Sequence, residues 1–141
     1  MKNIAINLLL LAVIALLLLA TCDYGFHGSH RDAQKAYTYA YVNGGAKTAL
    51  DLFKKDCGRY PTEAEGLSIL ERPPADGSLT NWRGPYLDPS KTSNDAWGHE
   101  YIYRFPSTHS TNDYDLYSLG PDGVSNTVDD IGNWQTDASG K

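Results

Sequence analysis

The stretch Leu119-Gly120-Pro121-Asp122-Gly123-Val124-Ser125-Asn126-Thr127-Val128-Asp129-Asp130 gathers three carboxylates, Asp122, Asp129 and Asp130, within nine residues. Carboxylates this close repel one another unless a cation or a cluster of donors lies between them. Gly120 and Gly123 permit positive φ, so the chain can curl and turn carbonyls inward. Carboxylates plus main-chain carbonyls suit a hard cation such as Ca²⁺, which takes six to eight oxygens at about 2.3–2.6 Å. Three Asp supply that many only with bidentate contacts, so carbonyls or water must complete the shell. The loop holds no Cys and the nearest His is His109, which disfavours zinc and other soft-site metals. The spacing is not that of an EF-hand, which needs Gly at position 6 and Glu at 12. Two readings stay open on the residues alone: a calcium loop, and a solvated acidic turn around an Asp-Gly bend.

Other reactive residues carry less. His27 and His30 form a His-x-x-His pair, but they sit in a Gly-containing stretch that reads as linker. Ser, His and Asp all occur, yet no nucleophile-elbow motif does, and nothing points to an enzyme. The two cysteines are Cys22 and Cys57. Cys57 reads as a small buried residue at a helix end.

The elements that must position the acidic loop follow from periodicity. Residues 31–56 read as a long helix. Ala33, Ala36, Tyr37, Ala40 and Tyr41 recur at spacings of three and four, and Ala49, Leu50 and Phe53 resume the stripe. Tyr37 and Tyr41 are assigned to the core, and Tyr39 to a contact surface. Asn43-Gly44-Gly45 interrupts the stripe and predicts a kink or a break. Gly58 suits the left-handed residue that ends a helix, and Pro61 prevents continuation. Thr62 and Glu65 have capping-box spacing and predict a second helix to Arg72. Residues 75–94 read as an ordered loop pinned by Trp82, Tyr86 and Leu87. Residues 101–105 and 114–118 read as strands joined by a polar hairpin loop over 106–112. The expected fold is α+β: a long N-terminal helix packed on a small antiparallel sheet, with the acidic loop after the second strand.

The chain has 141 residues and a formal net charge of −5, with no basic run. That is one domain's worth of material and a poor match to a nucleic-acid binder. Residues 4–20 hold sixteen apolar residues and one Asn, behind a single Lys. This is the layout of an export signal or a short membrane span. Leu19-Ala20-Thr21-Cys22 is similar to a bacterial lipoprotein box, which makes Cys22 a lipidation candidate. The expected organisation is an apolar signal or anchor over 1–22, a linker over 23–30 and a globular domain over 31–141, outside the cytoplasm.

Several segments together resemble the C-terminal globular domain of the major pseudopilin of the type II secretion system. They are Ala49 to Thr62, Glu65-Gly66-Leu67, Asn81 to Leu87, Asp95-Ala96-Trp97-Gly98-His99-Glu100-Tyr101, Tyr114 to Gly123, and Asp130-Ile131-Gly132-Asn133-Trp134. They cover roughly residues 45–134 in the family's order. The resemblance implies a pilin-like fold and one Ca²⁺ that stabilises the subunit for assembly. It implies carbonyl ligands at Leu119 and Val124 and carboxylate ligands at Asp122, Asp129 and Asp130, with Trp134 closing the loop onto the core. It further implies a homo-oligomer or an assembly with other pseudopilin or secretion subunits in the cell envelope. One departure stands out. Gly25-Phe26 is followed by polar residues, and the apolar run precedes it, the reverse of the family's order. A membrane-tethered, calcium-stabilised subunit of a secretion or filament apparatus is therefore weighed against a monomeric extracytoplasmic lipoprotein or binding module of the same fold.

Overall fold

The computed structural model describes residues 28, 30–88, 90 and 94–135. The chain divides into two units, Met1–Ala33 and Gln34–Lys141. In the first, residues 28 and 30–33 are helical. The expectations placed on residues 4–20, Cys22 and His27 lie outside the described residues. Among the described residues no helix is long and apolar enough to cross a membrane.

The second unit opens with helical residues 34–40. Asn43-Gly44-Gly45 does not break the helix. It widens one turn into a π-helical segment, Tyr41–Gly45, in which the Ala46 amide donates to the Tyr41 carbonyl. Helix α1, Ala46–Cys57, follows directly. The wide turn absorbs an additional residue and changes which side chains face inward. Thr38, Val42, Ala46, Ala49, Leu50 and Phe53 are buried. Ala33, Ala36 and Ala40 are exposed, and Tyr37 is 57% exposed. Tyr37 is thus a correction to the expected core. Tyr41 is half-buried and packs on Tyr101 with ring centroids 4.4 Å apart. Tyr39, expected at a contact surface, is half-buried.

Gly58 ends α1 as its sequence position predicts, at φ 77°, with its amide donating to the Lys54 carbonyl at 2.8 Å. Cys57 is a free, half-buried thiol, and burial pushes its pKa up. The Thr62–Glu65 box does form. The Thr62 amide donates to Glu65 Oε2 at 2.7 Å, and the Glu65 amide returns to Thr62 Oγ1 at 3.3 Å. No second α-helix follows, because Gly66 leaves helical space at φ 57°, ψ −156°. A 3₁₀ turn, Leu67–Leu70, takes its place and buries Ile69 and Leu70.

The long loop is pinned as expected. Trp82 Nε1 donates to the Ile69 carbonyl at 2.8 Å, and the Tyr86 amide to the Leu70 carbonyl at 2.7 Å. Tyr86 meets Phe53 edge-on at 5.8 Å.

The sheet has three antiparallel strands in the order β1 (Ile102–Arg104), β2 (Asp115–Ser118) and β3 (Ile131–Gly132). Tyr103 pairs with Leu116, and Ser118 with Ile131. β3 is an addition to the two strands expected. All four residues of β2 are buried. Leu116 and Tyr103 join the apolar cluster of α1. Asp115 and Tyr117 alternate to the other face, where His109 and Trp134 cover them.

Candidate metal-binding loop

The loop 119–130 leaves β2 and returns at β3, so both its ends are fixed by the Ser118–Ile131 pair. The chain turns at Gly120 with φ 63°. Its Cα is closely overlain: a Cβ there would lie 2.4 Å from the Asp129 carbonyl oxygen and 2.9 Å from Asp129 Oδ2. Only glycine admits that approach, which brings the two ends of the loop together.

Two of the three carboxylates are tied to each other through shared donors. The Asp122 amide donates to Asp129 Oδ2 at 3.2 Å. The Thr127 hydroxyl is surrounded by three acceptors: Asp129 Oδ1, the Val124 carbonyl at 3.2 Å and Asp122 Oδ1 at 3.5 Å. One hydroxyl proton serves only one of them at a time. Asp122 Oδ1 also accepts the Val124 amide at 2.8 Å. The Thr127 hydroxyl holds the Asp129 carboxyl below its usual range.

Asp130 is the buried member. Oδ2 accepts the Asn126 amide at 2.8 Å, but Oδ1 is buried and has no hydrogen-bond partner. Burial, and then the nearby Asp129 and Asp122 charges, push its carboxyl above the usual range. A buried carboxylate oxygen without a donor is costly. It is the kind of group a cation satisfies. Among the described residues no three His, Cys, Asp or Glu side chains form a metal cluster by themselves. A cation here would therefore draw on main-chain oxygens as well, as a mixed carbonyl and carboxylate shell does. Of the residues singled out from sequence, Asp122, Asp129 and the Val124 carbonyl converge around Thr127, and Asp130 offers its partnerless oxygen. The Val124 side chain itself is exposed. The donor set suits a hard cation.

Sequence reasoning missed the residues that brace this loop. Thr127 is one. His99 and Ser118 are others, hydrogen-bonded to Gly120, and Asp95 holds both of them in turn. His109 is the last. Its ring stacks on Trp134 at 4.5 Å, with Nδ1 3.0 Å from Asp115 Oδ2 and Nε2 3.1 Å from Asn126 Oδ1. Trp134 thus closes against His109 and Tyr117, beside the loop. The Asp95–His99 spacing was readable in the sequence, but no local pattern assigns it a partner near residue 120.

Residues 27–134 match the sequence model of the family described as type II secretion system, protein G. Type II secretion system core protein G of Klebsiella pneumoniae is 41% identical over 88 residues, 61% of this chain and 60% of that protein. The protein of the same name from Vibrio cholerae serotype O1 is 36% identical over 107 residues, 73% of this chain and 68% of the relative. The chain spans about 60% of the length of the Klebsiella relative. The crystal structure of the major pseudopilin from the type 2 secretion system of enterohaemorrhagic Escherichia coli superposes with a TM-score of 0.64. It is 35% identical, over 76% of this chain and 87% of that one.

Proposed function

We propose, because the chain belongs to the type II secretion system protein G family, that it is a calcium-stabilised structural subunit of a secretion or related filament apparatus. In this reading it is no enzyme. It is tethered to the membrane through residues 4–20 or a lipid on Cys22, with the Gln34–Lys141 unit outside the cytoplasm. It assembles with copies of itself or with other pseudopilin subunits. The family match and the likeness to a pseudopilin of known structure support the structural role.

The calcium part rests on one observation, the buried Asp130 Oδ1 that lacks a partner beside two further carboxylates. Asp122, Asp129 and Asp130, with the carbonyls of Leu119 and Val124, would hold the ion. It would offset two of the three negative charges and tie the start of the loop to its end.

The test is thermal unfolding in excess calcium and in chelator. A ligand that binds only the folded state at 100 times its Kd stabilises by about 2.7 kcal/mol. For a domain of this size that is roughly 10 °C in Tm. Wild type is expected to show such a gap. Asp122→Ala and Asp130→Ala are expected to lose it by falling in calcium while changing little in chelator. Equal shifts in both buffers would mean that these carboxylates are not ligands.

A further inference from the structure

Around Gly120 the hydrogen bonds close into a ring. The Asp95 side chain is fully buried. Its Oδ1 accepts the main-chain amides of Trp97 and His99, both at 2.9 Å. Its Oδ2 accepts the Ser118 hydroxyl. With its proton committed to Asp95, the Ser118 oxygen accepts the Gly120 amide at 3.0 Å. His99 Nδ1 lies 2.9 Å from the Gly120 carbonyl oxygen. A carbonyl only accepts, so Nδ1 carries the proton and donates. The ring runs from Asp95 through Ser118, Gly120 and His99 back to Asp95.

Both polar groups of Gly120 are therefore held. The Gly120 amide and the Leu119 carbonyl belong to one planar peptide group, so fixing the first aims the second. The His99 ring also reaches the far side of the same turn. A Cβ at Gly123 would lie 2.9 Å from His99 Nε2 and 3.1 Å from Cε1. The imidazole thus braces residues 120 and 123, on either side of Asp122.

We infer that His99 is a positioning residue for cation binding, presetting the turn that carries the Leu119 carbonyl and the Asp122 carboxylate. This rests on the calcium reading above. Asp95 and Ser118 are buried beneath the turn and serve the fold as well. His99 is only half-buried and lies outside the apolar core cluster.

The experiment is calorimetric titration of the full chain with calcium alone, beside Tm in chelator. Groups that orient metal ligands typically cost 10–100-fold in affinity when removed. His99→Ala is expected to weaken calcium binding by about tenfold or more, with little change in the chelator Tm. His99→Asn is expected to recover most of that loss, because its amide nitrogen can donate to the Gly120 carbonyl from nearly the place of Nδ1. Asp122→Ala separates the two ideas. If wild type binds calcium and Asp122→Ala does not, while His99→Ala binds like wild type, the positioning role is overturned and the calcium loop stands. Loss of affinity in His99→Ala that His99→Asn fails to restore also overturns it. A wild-type chain that takes up no calcium overturns both.

Discussion

His109 sits where three segments meet, and its chemistry depends on its proton. Nδ1 faces Asp115 Oδ2 and Nε2 faces Asn126 Oδ1, and both oxygens are acceptors. Only the imidazolium donates to both at once. The bonds to Asn126 and to Asp115 accordingly raise its pKa from the ordinary range. Burial works against the ionised Asp115, but donors from Ser107, Thr108 and His109 outweigh it and hold the carboxyl at about 2. Trp134 stacks on the ring, Tyr117 meets its edge, and Asp130 adds a more distant negative charge. A group with a raised folded pKa stabilises fully below its unfolded value and loses that contribution as pH rises through the folded value. Wild type is therefore expected to exceed His109→Gln in denaturant midpoint near pH ~5.5, with the gap narrowing by pH ~8. A gap that is flat across that range would show that the imidazolium form contributes nothing. None of this was visible in the sequence, where His109 looked like the nearest imidazole to an acidic loop. Its partners lie six residues away in Asp115 and seventeen away in Asn126.

Elements set by local rules were readable; those set by distant packing were not. Gly58 illustrates the first kind. It stands at φ 77°, where a side chain at this helix end is disfavoured. Gly58→Ala is expected to cost about 1–2 kcal/mol, read as a lowered denaturant midpoint at unchanged slope. No cost would mean that the helix end simply rewinds. The strands beginning near residues 102 and 115, the pinned loop and the acidic turn after β2 were likewise legible, since aromatic alternation and glycine placement announce them. The π turn was not. Three poor helix formers signal weakness, but whether the chain kinks, breaks or widens depends on what the flanking turns pack against. The extra residue in Tyr41–Gly45 put Thr38 inward and Tyr37 outward, which inverted a stripe read with a 3.6-residue period. β3 escaped notice because two residues carry no alternation. Asn133 lengthens it, its side chain accepting the Leu116 amide and donating to the Tyr114 carbonyl.

At the scale of the molecule, residues 4–20 and the folded unit pose different problems. Sixteen apolar residues in that run are unfavourable in water, whatever the fold downstream does. Protein recovered from membranes is expected to carry either the intact run or acyl chains on Cys22, as read by intact mass. A soluble product lacking both would end the tether reading. The family was legible because its segments are short, ordered and rich in Trp, Gly and Tyr. The proposed ligand set was less so, because the carbonyls of Leu119 and Val124 are main-chain groups that composition does not record. The paired ends of loop 119–130 carry one further consequence. Ser118 and Ile131 are paired neighbours in the sheet, so the loop starts and ends at adjacent positions. The loop is therefore an exchangeable cassette. A segment with different ion preference or length could be grafted between those two residues, at a closure cost that grows only slowly with length.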